Sequence, residues 1–382
     1  MSKETIKPYK NKKSSNEKND YMQNEKINYR QLIGMMSVGL FSPMIRLLPN
    51  SVARLAGNAA WLSPLVSLIP ILAYLFFIRA FMKNCEKEEG MGEVICRAIG
   101  SVGGRIVLVL YVLWLTLYAG FILRYSGERL MSTVFYNGNL KFFVVVMCLL
   151  AIMGSIGKLS SAARSAEIFW PFLVLTLTVV FGFSIMNLDV KKLLPISYRN
   201  ALSVAEGALP IINVISPWVY GMFLRGYVTD SEKNIEQGTK RVIFLHVIIT
   251  LLLVTTIGTI GATGTSRMNN AFFVMIRTIS LFNTLERVES IVISMWVLSD
   301  FVYITFVLTI VGEIVRIILN ASSRRWFSLG AGIIAFFLAF LVAPNAFSLV
   351  KISEMLIPIL NLIFVYIILP VIFAVGKIRK KI

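Results

Sequence analysis

Two serine-proline pairs, Ser42-Pro43 and Ser216-Pro217, sit inside long apolar stretches of this chain, 174 residues apart. Proline removes a backbone donor and crowds the carbonyl four residues earlier, so each pair predicts an interrupted helix. The stretches around them are long enough to cross hydrocarbon, where open backbone must face protein or a cavity rather than lipid. Two interrupted spans at corresponding places in two halves point to a midplane binding site in an inverted-repeat fold.

The surrounding composition fits no water-soluble domain: 57% of 382 residues are hydrophobic and only 15% are charged. About 20 apolar residues cross the roughly 30 Å of hydrocarbon, and ten segments reach that scale. They run over 31–57, 61–79, 106–123, 141–157, 165–187, 207–225, 241–263, 289–316, 326–343 and 355–377. A net charge of +18 could suggest a nucleic-acid partner, but its distribution argues for a membrane and against nucleic acid. With the N-terminus in the cytoplasm, 26 of the 38 Lys and Arg residues fall in cytoplasmic segments and 12 outside. Both termini are therefore expected to be cytoplasmic, which requires an even number of spans.

The expected fold class is an all-α polytopic membrane protein of ten transmembrane helices, a five-plus-five inverted repeat with discontinuous helices 1 and 6. Residues 1–30 read as a disordered cytoplasmic tail, 31–187 as the first five-helix repeat, 188–205 as an external linker, 206–378 as the second repeat and 379–382 as a basic cytoplasmic end. An odd number of spans per repeat makes the second enter the membrane from the opposite side. The stretches 82–105 and 268–289, the latter carrying Phe272, Phe273, Met275, Ile276 and Phe282, read as short surface helices, either lids or interfacial anchors. Cys85, Cys96 and Cys148 do not suggest a disulfide framework.

No catalytic constellation, metal-ligand cluster or cofactor motif is visible, so the chain reads as a non-enzyme. His246 is the one histidine and sits on an apolar helix, where packing is the ordinary role. Gly154-Ser-Ile-Gly-Lys158 lacks the glycine spacing of a phosphate loop. The candidate ligand site is formed by Gly39, Ser42 and Pro43 on the first span and Ser216, Pro217 and Tyr220 on the sixth. Half-helix N-termini there would suit a carboxylate, as in an amino acid. The alternative is that the prolines only kink their helices.

Tyr111, Trp114 and Tyr118 recur on one face of the third span, and either Tyr111 and Tyr118 line the cavity or the face packs against neighbours. Asp300 lies near the middle of the eighth span, where an acid costs on the order of 3 kcal/mol. Trp296, Asp300 and Tyr303 share one face, while Ser290, Ser294 and Thr305 share another. Either Ser294 and its face line the cavity and Asp300 pairs with another helix, or Asp300 is an ion-coupling group in the pathway. Arg46 either forms an outer gate with an acid such as Glu354 or snorkels to the surface.

Three strings bring a family into view: Leu48-Pro-Asn-Ser-Val-Ala-Arg-Leu-Ala-Gly57 followed by Trp61-Leu62; Gly157 with Arg164, Glu167 and Pro171; and Arg287-Val-Glu-Ser-Ile-Val-Ile-Ser-Met-Trp296. In this order on ten spans, the chain resembles the spore germination permease family, the B subunits of nutrient germinant receptors, from Tyr29 to the last span. That family belongs with the amino acid, polyamine and organocation superfamily, whose five-plus-five repeat matches the expected architecture. The resemblance implies the inner membrane of the spore, a small nutrient ligand such as an amino acid, partner A and C subunits, and sensing rather than uptake. A proton- or sodium-coupled amino acid or amine transporter is the alternative. Many relatives carry a glycine pair where this chain has Ser42-Pro43, so the ligand does not carry over.

Overall fold

The computed structural model describes residues 25–83, 86, 89–135, 137–229, 235–278 and 288–381. These form an all-helical bundle with no β-strand among them; Ile27 and Val228 make an isolated parallel bridge. Seven helical stretches combine the length and apolarity of a membrane span. The first, Tyr29–Met82, contains two of the expected spans, α1 (Tyr29–Ala56) and α2 (Ser63–Met82). Gly57, at φ 55°, turns the chain between them, a conformation that disfavours any side chain. After α3 (Met91–Ile99) come α4 (Ser101–Thr133), α5 (Leu140–Ile156) and α6 (Leu159–Ser184). The second half holds α7 (Ala201–Ile215), continued as a 3-10 helix over Ser216–Tyr227, then α8 (Ile235–Ile260), α9 (Ala262–Arg267) and α10 (Ala271–Arg277). It ends with α11 (Val288–Leu319), α12 (Arg325–Leu341), α13 (Ala346–Glu354), α14 (Leu356–Leu362) and α15 (Leu369–Ile378). The expected spans 141–157 and 326–343 are the shorter apolar helices α5 and α12.

Burial sorts these helices into a centre and a rim. α11 packs most closely against α4, α1 and α12, and α1 also packs along α7. At Gly120 a Cβ would stand 2.7 Å from the Ala335 carbonyl oxygen, so α4 and α12 meet backbone to backbone only because that position is glycine. The outward faces of α2, α5 and α12 expose Ile69, Phe76, Phe142, Met153, Phe337 and Leu341. A continuous apolar belt of this kind is stable against lipid and not against water.

Of the two expected surface helices, 82–105 contains α3, and α10 lies in the other; Phe282 lies outside the described residues. Cys85 also lies outside them. Burial pushes the Cys96 thiol on α3 up, with the nearby Glu93 acting in the same direction, so it packs as a neutral group.

Residues 1–24 lie outside the described residues, but the tail expected to be free up to residue 30 is anchored from Glu25 onward. Ile27 donates its N–H to the Tyr227 carbonyl and accepts from Thr229, both 2.9 to 3.0 Å. Glu25, fully buried, accepts from the Leu159 N–H at 2.6 Å, from Arg324 at 2.9 Å and from Arg325 at 3.2 Å. Arg324, itself fully buried, also donates to the Ser155 and Gly157 carbonyls, so one carboxylate ties the α5–α6 turn to the start of α12. Removing one partner of such a pair strands the other charge. Glu25→Ala is therefore expected to lower unfolding stability by about 3–5 kcal/mol, and Glu25→Gln by less, read as the thermal midpoint of the purified protein.

Candidate functional site

Pro43 sits halfway along α1, yet α1 is continuous through it. The reason is a hydroxyl from another helix. The Ser42 N–H donates to Ser299 Oγ of α11 at 3.0 Å, and Ser299 Oγ donates to the Val38 carbonyl at 2.6 Å, the oxygen that Ser42 would bond in an unbroken ladder. Gly39 O, the carbonyl four residues before Pro43, lies 3.5 Å from the same hydroxyl. Helix 1 is thus discontinuous in its hydrogen bonding rather than its path. Gly39 is required for that approach: a Cβ there would stand 2.8 Å from the Tyr303 ring. The sixth span shows the second interruption as a change of helix type, since the α-helix ends at Ile215 and 3-10 winding starts at Ser216. Ser216 Oγ donates to the Ile212 carbonyl at 2.5 Å, and Pro217 is buried beside it.

A small cavity opens beside Ser42. Ser42, Pro43 and Arg46 of α1 line it, with Tyr118, Tyr125, Ser126 and Arg129 of α4. Asn213 comes from α7, Asp300 and Tyr303 from α11, and Ser353 and Asn361 from the last span. Arg129 is the hub. It forms a buried ion pair with Asp300, donates to Ser42 Oγ at 2.6 Å, and lies 5.1 Å from the Trp296 ring. Asp300 therefore faces the cavity and is paired across helices, combining two options that the sequence leaves as alternatives.

The other expected site residues are distributed more widely. Tyr118 reaches the cavity and exchanges a 2.8 Å hydrogen bond with Tyr303. Tyr220 stands one layer behind, accepting from Trp114 at 3.0 Å and donating to Asn361 at 3.3 Å. Tyr111 packs below them and donates to the Phe364 carbonyl at 2.6 Å, while Tyr74 bonds the Val365 carbonyl. Those carbonyls belong to a π turn at Ile363–Ile368, which the two tyrosines hold in place. Ser294 is exposed, bonds only the Ser290 carbonyl of its own helix and takes no part in the cavity.

Arg46 neither pairs with Glu354 nor reaches the surface in this structure. Glu354 is claimed by Arg54, through two bonds of 2.7 and 3.1 Å. Nor does Arg46 snorkel: it is 8% exposed, with its guanidinium carbon 3.1 Å from the Tyr125 ring centroid.

Arg129 and Ser299 went unread in the sequence, for different reasons. The third span was expected to end at 123, which leaves Arg129 in a loop, whereas α4 runs to Thr133. The aromatic stripe 111, 114, 118 continues at heptad-like spacing through Ile122, Tyr125 and Arg129, and that periodicity is the signal that could have found it. Ser299 carries no such mark.

Asp300→Asn is expected to destabilise the protein by about 3–5 kcal/mol by stranding Arg129, and the double variant Asp300→Asn with Arg129→Gln to recover part of the loss. Ser299→Ala is expected to lose about 1–3 kcal/mol while Ser299→Thr, which keeps the hydroxyl, stays near wild type. Thermal unfolding of the four purified variants checks both.

A family model described as spore germination protein matches residues 26–347. No curated protein sequence matches the chain. Among solved structures, the crystal structure of MhsT in complex with L-phenylalanine has a similar fold, with a TM-score of 0.70 at 14% identity. That likeness covers 93% of this chain and 89% of MhsT.

Proposed function

The chain belongs to the spore germination protein family, and on that footing we propose that it is the nutrient-sensing membrane subunit of a spore germinant receptor. The nutrient binds in the cavity between helices 1 and 6, at the level of Ser42, and shifts the balance between two arrangements of the bundle. MhsT, which shares the fold, is seen with L-phenylalanine bound, which supports a small nutrient such as an amino acid. The subunit resides in the spore inner membrane with both termini cytoplasmic, and passes its bias to A and C subunits.

The observation that carries the sensing reading is the state of Asp300. It is the one acid among the described residues lining the cavity, and Arg129 already neutralises it. A transporter driven by protons needs a group in the pathway that exchanges a proton. A guanidinium is a cation that cannot leave and does not deprotonate.

Two measurements test this. Proteoliposomes holding only this chain, given sodium or proton gradients and a mixture of labelled L-amino acids, are expected to show no accumulation above equilibrium; accumulation would establish a transporter instead. In spores, Ile122→Trp, which fills the cavity from α4, is expected to slow nutrient-triggered germination at least tenfold at unchanged protein level. An unchanged rate would place the nutrient elsewhere.

A further inference from the structure

We propose that the cavity selects a small organic carboxylate with net negative charge and that Arg46 is the residue that binds it, a refinement that rests on the nutrient-binding reading above. The first support is charge. Three ionised side chains line the cavity, Arg46, Arg129 and Asp300; the last two neutralise each other, so the site carries one uncompensated positive charge. Arg46 makes no ion pair among the described residues, and its buried Nε–H has no hydrogen-bond partner there. Stacking on Tyr125 offsets part of the burial, about 0.5–2 kcal/mol, which is less than an isolated charge in hydrocarbon costs. A ligand anion supplies the missing counter-charge.

The second support is a pair of further orphans in the same wall. Ser126 Oγ and Asn213 Oδ1 are buried without partners, and both residues line the cavity. A carboxylate oxygen suits the Ser126 hydroxyl, and a hydroxyl or N–H of the ligand suits the Asn213 carbonyl. The remaining lining includes Leu47, Phe121, Ile122, Val214 and Ile357, which favours an organic body over an inorganic ion. Because Arg129 holds Asp300, the ammonium of a neutral amino acid finds no free acid. A hydroxy acid, or an acidic amino acid with net charge of minus one, leaves the cavity neutral.

Nor do the helix ends compete for this role. Ser42 donates its amide to Ser299, so the carboxylate site expected at a free half-helix N-terminus on the first span is occupied by protein. The guanidinium one turn further along α1 takes its place.

The test uses the purified full-length chain in lipid nanodiscs, with L-lactate, L-aspartate, L-alanine, putrescine and chloride as probes, read by calorimetry and thermal shift. L-Lactate and L-aspartate are expected to bind at least tenfold tighter than L-alanine. Arg46→Gln is expected to weaken both anions at least tenfold, with Arg46→Lys retaining part of the affinity. Ligand-free Arg46→Gln is expected to unfold no lower than wild type, since it removes an unpaired charge. Should that variant fail to fold, Ser126→Ala and Asn213→Ala carry the same comparison. L-Alanine or putrescine binding as tightly as the anions, or chloride matching L-lactate, overturns the carboxylate assignment and leaves nutrient binding standing. No binding of any probe to the wild-type chain overturns both.

Discussion

Hydrocarbon offers no partner to an open backbone group, and the structure turns on how one such opening is closed. Pro43 interrupts the α1 ladder halfway along the helix, and Ser299 bridges the gap as both acceptor and donor. The bridge fixes α11 against α1 at a single register. The next residue, Asp300, then points away from α1 by one helical step, into the space that Arg129 enters from α4. Three helices thereby converge on one turn, and the cavity is the volume they cannot fill.

The ionised groups follow the same logic of paired need. A carboxylate and two guanidinium groups at this depth are each expensive, and two of the three are retained as a mutually satisfied pair that also holds the Ser42 hydroxyl. What distinguishes the site chemically is the third. Arg46 keeps its charge beside an aromatic face with no acid partner among the described residues, so this resting arrangement is electrostatically incomplete. Polar groups left open in a packed interior are characteristic of places that receive something from outside.

The all-helical membrane architecture was legible from apolar run length, which follows from the thickness of a bilayer. The two proline sites were legible for the same reason, as was the shared face of Asp300 and Tyr303, which both line the cavity. The contacts themselves were not. Ser299 is a serine in an apolar helix like several others, and only the third dimension brings it opposite Pro43. Arg129 was hidden by a boundary: charged residues shorten a span when apolar length alone is counted, yet a buried, paired arginine lets the helix run on. The Arg46–Glu354 option is not realised because Arg54, two turns further along α1, holds that acid.

The two ends of the bundle are held by interactions of unequal strength. At the end of α1 near Ala56, Arg54 and Glu354 pair while each is nearly half exposed, a contact worth about 0–1 kcal/mol. At the Tyr29 end the contacts between elements are buried: Glu25 with Arg324, and Glu313 with Tyr227, so opening there strands buried charge. Access from the Arg54 end is therefore the cheaper motion, and passage through the Tyr29 end the dearer one. A ligand in the cavity shifts the bundle only by as much as its affinity differs between the arrangements available to it.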